Sequence, residues 1–157
     1  MAIEIRKLAN TTEAEICAHM MANSEPWLTL RRDYALSYKL LTDSLREVYV
    51  ATREDEIVGF IMLLLRGAFT GYVQTICVAP TVRNLGIGSQ LLTFAEERIF
   101  REMPNVFLCV SSFNADAQRL YARLGYETIG VIKDYLVAGY DEILLRKTRG
   151  AVVGYKK

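Results

Sequence analysis

The sequence predicts a mixed α/β domain. Three observations carry that reading. The first half holds short strands of antiparallel character, the second half alternates strand and helix, and a glycine-containing loop joins a strand to a long amphipathic helix between them.

The elements follow in order. Ile3-Glu4-Ile5-Arg6-Lys7-Leu8 alternates and predicts a strand. Asn10-Thr11-Thr12-Glu13 offers capping side chains for a helix running to about Met21. Ser24-Glu25-Pro26-Trp27 interrupts that pattern, and a short helix is expected over Asp33 to Leu41. Val48 to Arg53 and Ile57 to Arg66 read as strands of a hairpin turning at Glu54-Asp55-Glu56. Tyr72 to Val78, rich in Val, Ile and Thr, predicts a third strand of this half.

From Gly86 to about Arg101 the period changes. Leu91, Leu92, Ala95 and Ile99 share one helical face, and Pro104 ends the run. Val106 to Val110 reads as a short buried strand. Asn114 to Leu124 reads as a helix closed by Gly125, where a left-handed residue is wanted. Tyr126 to Ile132 and Tyr140 to Arg146 are the final strands. A helical crossover joins the Tyr72 and Val106 strands, so those two should run parallel.

A chain of 157 residues fits one domain, 1–157, and can bury roughly two thirds of its unfolded surface. A net charge of +1 gives no broad drive toward nucleic acid or an anionic membrane, so any anion site must be local. Cys17, Cys77 and Cys109 are scattered without metal-ligand spacing, which points to a reducing cytoplasm and no metal. The longest apolar run, Ile57 to Leu65, is interrupted by Gly59 and falls short of the roughly 20 residues of a membrane span. The stretch from Arg146 holds five basic residues and no acidic one, and a solvated tail is expected over about 148–157.

The loop Val78-Ala79-Pro80-Thr81-Val82-Arg83-Asn84-Leu85-Gly86-Ile87-Gly88-Ser89 carries the chemistry. A strand-to-helix loop aims backbone N–H groups and the helix dipole at one spot, which suits a pyrophosphate. Gly86 and Gly88 clear side chains from the approach, and Arg83 adds a forked cation. A dinucleotide fold fits poorly. Leu91 stands where that fingerprint wants a third small residue, and Cys109 where an acidic one would close the second strand. Taken alone, the two glycines equally suit a tight turn.

Val78-x-Pro80-x-x-Arg83-x-x-Gly86-Ile87-Gly88-Ser89-x-Leu91-Leu92 resembles the R/Q-x-x-G-x-G/A motif of the GNAT superfamily of N-acetyltransferases. Asn114-x-x-Ala117-x-x-Leu120-Tyr121-x-x-Leu124-Gly125-Tyr126-Glu127 resembles the family's second signature. The resemblance covers roughly residues 46 to 147. It implies a central, mostly antiparallel sheet splayed between two parallel strands and flanked by helices. It implies acetyl-CoA as co-substrate, with its pyrophosphate on Arg83, Asn84, Leu85, Gly86, Ile87, Gly88 and Ser89, and its pantetheine arm along Ile76, Cys77 and Val78. Asn114, Ala117 and Tyr121 would complete that site. Asn114 also suits the role of helix cap.

Tyr121 is the catalytic candidate. Ala117, Leu120, Tyr121 and Leu124 share a helix face, a spacing that by itself suits a core residue. The resemblance implies that its phenol donates to the departing thiolate. The acceptor would be the amine of a small molecule or a peptide, attacked onto the thioester in a ternary complex. Many relatives carry a glutamate four residues before the position of Ile76. Tyr72 stands there, so Gln74, Glu25, Asp134 or a water chain are left as candidates for the base. The same departure supports an alternative: an acyl-CoA-binding or regulatory module without catalysis. Trp27, Tyr135 and Tyr140 fall in loops that could face the acceptor, and His19 reads as structural. A symmetric homodimer is the assembly to test for first.

Overall fold

In the computed structural model, which describes residues 2–157, seven strands form one sheet in the order β1-β2-β3-β4-β5-β7-β6. The strands are β1 (Glu4–Lys7), β2 (Glu47–Arg53), β3 (Glu56–Leu64), β4 (Tyr72–Val78), β5 (Asn105–Ser111), β6 (Glu127–Ile132) and β7 (Glu142–Thr148). The helices are α1 (Thr11–Ala22), α2 (Tyr34–Leu41), α3 (Ile87–Phe100) and α4 (Ala115–Arg123). All neighbouring strands are antiparallel except β4 and β5, the pair joined by the α3 crossover.

Local chemistry sets the helix starts. Asn10 Oδ1 accepts from Glu13 N at 3.0 Å, and Glu13 in turn binds Arg6 at 2.6 Å, tying α1 to β1. Asp33 Oδ1 accepts from Leu36 N at 2.9 Å and starts α2. Gly125, at φ 90°, closes α4. The last strand lies two residues later than the hydrophobic pattern places it. The Val137-to-Tyr140 turn takes up Tyr140, whose N–H donates to Val137 O at 3.2 Å.

Two cores sandwich the sheet. On one face Leu91, Leu92, Ala95 and Ile99 of α3, all fully buried, pack on Ile61, Val106, Leu108 and Val110. On the other, Ala14, Cys17, Ala18 and Met21 of α1 pack with Trp27, Phe60, Met62 and Cys77. Successive strand side chains alternate between the two cores, and the α3-side core takes the larger share of them.

The geometry that positions the site lies in β4. Met62 pairs with Thr75 and Leu63 with Val73, so Gln74 is the extra residue of a β-bulge. β4 meets β5 only at Tyr72↔Phe107 and Val73↔Leu108, and beyond the bulge the two strands part. The C-terminal stretch is exposed to solvent except at Tyr155, and it is also held at two points. Arg149 stacks 4.0 Å over the Phe100 ring, and Tyr155 Oη donates to Phe100 O at 2.6 Å. Apolar surface at the end of α3 supplies that anchorage, which a reading of charge alone misses.

Candidate active site

The parting strands open a cleft of about 1270 Å³ that runs through the sheet. Its walls come from both faces: Trp27 and Arg32 from the α1–α2 side, and Asn114, Ala117, Leu120 and Tyr121 from the α4 side. Beyond Val73, the edge of β4 that turns toward β5 has no strand partner. Such an edge offers backbone donors and acceptors to an extended ligand.

At one end the cleft meets the start of α3. Gly86 occupies the cap position at φ 81°, and no side chain among the described residues caps the helix. The first N–H groups of α3 therefore face outward, with the helix dipole behind them. A Cβ at Gly86 would meet nothing within 4 Å, so glycine is there for its backbone and for the space above it. Asn84, at φ 64°, turns the chain into that position. Arg83 is exposed at the mouth, where its Nε donates to Val78 O at 3.3 Å.

Of the residues expected to hold the coenzyme, Ile76, Val78, Arg83, Asn84, Gly86, Ile87, Gly88, Ser89, Asn114, Ala117 and Tyr121 all line the cleft. The Leu85 side chain is 61% exposed outside it. The Cys77 side chain points into the α1-side core, and burial pushes its thiol up to about 12. Only the Cys77 backbone lies along the open edge. Asn114 caps α4 through Ala117 N at 3.2 Å.

Tyr121 packs against the α3-side core, with its ring 6.0 Å from that of Tyr126. Burial pushes its phenol up to about 12, so it is a proton donor at neutral pH. On the opposite face stand Tyr72, Cys109, Ser111 and Glu142. Burial, the neighbouring Cys109 and the Glu142 carboxylate raise the Tyr72 phenol. Burial raises Cys109 too, and the neighbouring Tyr72 hydroxyl opposes that rise.

The base candidates from sequence fare unequally. Glu25 is exposed at the rim and accepts from Thr29 N at 3.3 Å. Asp134 is engaged in its own loop, accepting from Gly139 N at 2.7 Å. Gln74 lines the cleft but accepts from Arg46 Nε at 2.6 Å. Trp27 is 8% exposed and belongs to both core and cleft wall. Tyr135 lines the cleft at 59% exposure, whereas Tyr140 packs on Phe113, ring to ring at 4.9 Å. His19 stacks on Tyr34 at 4.4 Å, away from the cleft.

Sequence reasoning missed Glu142 and Arg32. Glu142 is 4% exposed, yet it lines the cleft. Its only sequence signal was an Asp141-Glu142 pair leading into the apolar run Ile143-Leu144-Leu145. Among the described residues no three His, Cys, Asp or Glu side chains group as metal ligands. None of the described helices is long and apolar enough to cross a membrane.

The comparisons with known proteins agree with this geometry. The model of the acetyltransferase (GNAT) family matches residues 9–126, and the chain belongs to that family. An N-alpha-acetyltransferase of Sulfurisphaera tokodaii is 32% identical over 111 residues, which cover 62% of this chain and 66% of that one, just under two thirds of its length. The ribosomal-protein-S18-alanine N-acetyltransferase of Escherichia coli shares the fold, with a TM-score of 0.76 at 18% identity over 99% of both chains. So does an aminoglycoside 6'-N-acetyltransferase solved with coenzyme A, with a TM-score of 0.75 at 19% identity over 94% of this chain and 97% of that one.

Proposed function

We propose that this chain transfers the acetyl group of acetyl-CoA to an amine. The observation that carries the reading is one continuous cleft. It joins an uncapped helix start with Gly86 and Arg83, an unpaired strand edge, and the half-buried Tyr121. The fit is chemical as well as spatial. The N–H groups ahead of Gln90 and the Arg83 guanidinium suit a pyrophosphate. The edge of Ile76, Cys77 and Val78 suits the amides of a pantetheine arm.

When bound, acetyl-CoA supplies the thioester whose carbonyl carbon the amine attacks. The chain's own residues orient and balance that step. A β4 backbone N–H near Val78 would stabilise the negative charge that develops on oxygen. Tyr121 Oη, held protonated by burial, donates to the departing sulfur.

The acceptor in this reading is a peptide α-amino group. The relative from Sulfurisphaera tokodaii is named for that activity. Tyr135 stands at the open side of the cleft, where an aromatic wall suits a peptide backbone. A binding module without catalysis would need the cleft but no proton donor at its centre.

The test is the thermal midpoint with and without acetyl-CoA, for wild type and Gly86→Glu. Ligand at about a hundred times its Kd adds about 2.7 kcal/mol to the wild type. Gly86→Glu places a carboxylate and a left-handed non-glycine residue at the anion seat, so the shift should vanish. A folded wild type without any shift refutes the coenzyme site.

A further inference from the structure

We infer that Glu142 takes the proton from the attacking amine, an inference that rests on the acetyl-transfer reading above. The argument begins with strand alternation. Leu108 and Val110 of β5 pack into the core beneath α3, so Cys109 and Ser111 point to the other face. Glu142 of β7 lies directly opposite Ser111 in register, and Ser111 Oγ donates to Glu142 Oε1 at 3.1 Å. Tyr72 is in register with Phe107 and so lies on the same face. The carboxylate thus enters the cleft from the face opposite Tyr121, which packs on the α3-side core.

One oxygen of this carboxylate is committed and the other is not. Among the described residues Glu142 Oε2 is fully buried and has no hydrogen-bond partner. A buried carboxylate oxygen without a partner costs stability, on the scale that makes such groups rare outside functional sites. The groups facing Glu142 are the Ser111 hydroxyl, the Cys109 thiol, the Tyr72 phenol and the Arg32 guanidinium, with Tyr135 beyond Tyr72. Burial raises the Glu142 carboxyl, while the Ser111 bond and Arg32 hold that rise back. A carboxylate of raised basicity in a chamber open to the acceptor is suited to accept a proton.

The resulting arrangement separates the two proton transfers across the sheet. The nitrogen lone pair forms the C–N bond as the C–S bond breaks. The nitrogen's proton passes to Glu142 Oε2, and the sulfur takes a proton from Tyr121 Oη. The protein ends the step with one proton gained and one lost, and both sites re-equilibrate through the cleft. Glu142 fills the role left open by Tyr72, from a strand where the family pattern does not place it.

The experiment compares wild type, Glu142→Gln and Glu142→Asp by three readouts. The first is the acetyl-CoA thermal shift, which should be equal in all three, because Glu142 lies away from the α3 loop. The second is CoA release, with an alanine-starting hexapeptide and with water alone as nucleophile. Glu142→Gln should lower kcat/KM for the peptide by tenfold or more and remove the acid limb of its pH profile, and Glu142→Asp should restore part of both. The third is the midpoint of the apoprotein from pH 4 to pH 8.

The sign of the third follows from linkage. The folded state holds this proton more tightly than the unfolded chain, whose carboxyl titrates near 4.5. Wild type therefore loses stability relative to Glu142→Gln as pH rises above that value and through the folded pKa. The variant's midpoint should rise relative to wild type over the range. Unchanged CoA release and an intact acid limb in Glu142→Gln would overturn the inference, as would a pH-independent midpoint difference. A wild type that binds acetyl-CoA but releases CoA to neither nucleophile overturns it together with the transfer reading. No thermal shift in wild type overturns the transfer reading and this inference with it, whereas wild-type turnover that Glu142→Gln leaves unchanged overturns the inference alone.

Discussion

At the scale of single residues, the two proposed proton transfers lie on opposite faces of one sheet. Tyr121 is the residue whose removal should separate binding from chemistry. Tyr121→Phe keeps the ring that packs against the α3-side core and deletes only the hydroxyl. Turnover should fall about tenfold or more, while the acetyl-CoA thermal shift stays at its wild-type size. Steady-state kinetics beside thermal denaturation checks this, and unchanged kcat would remove Tyr121 from the proton path. Arg83 and Gly86 were singled out from the spacing of their loop, and Tyr121 only through the resemblance of its stretch to the family's second signature, because its helical spacing by itself suits a core residue. Glu142 was singled out by neither. It follows Asp141 at the start of a strand with no motif around it, and only the β5–β7 register brings it to Ser111. No local pattern encodes a partner 31 residues away.

At the scale of elements, periodicity and caps placed every strand and helix to within two or three residues. The errors fell where tertiary contacts extend or shorten a strand, as at the start of β7. The bulge at Gln74 was invisible, because a bulge is a property of pairing and not of one strand's sequence. It matters more to function than any boundary, since the strands part there. Arg46 braces it, donating to Gln74 Oε1 at 2.6 Å while also paired with Asp43. Gly71, just before β4, sets where the strands still touch. It adopts φ 88°, its carbonyl accepts from Phe107 N at 3.0 Å, and an added Cβ would lie 2.3 Å from Asn105 O. Neither the backbone angle nor that contact tolerates a side chain. Gly71→Ala should therefore cost about 3 kcal/mol, lowering the midpoint by roughly 6–12 °C. Denaturant unfolding measures it, and a loss under about 0.5 kcal/mol, the size of an ordinary surface substitution, would show that β4 and β5 can separate further without cost.

At the scale of the whole molecule, α3 links the coenzyme loop to the C-terminal stretch. Its first turn carries Gly86 and Gly88, and its last residue, Phe100, receives both Tyr155 and Arg149. Fourteen residues at about 1.5 Å each separate those ends by about 21 Å. The chain from Arg149 onward thus acts as a clasp on the core, and none of its residues lines the cleft. Val153, 93% exposed, shows that the clasp grips at points and not along its length. Deleting residues 151–157 removes the Tyr155 bond to Phe100 O but keeps Arg149 over the ring and its N–H on Pro104 O. The loss should be about 1 kcal/mol, the worth of one hydrogen bond, or roughly 2–4 °C in the midpoint. The acetyl-CoA shift should be unchanged in the truncated chain, because the free N–H groups of α3 are set by Asn84 and Gly86 at the far end. Should the shift instead shrink with the truncation, the two ends of α3 would be coupled, and the clasp would be tuning the coenzyme site through the helix.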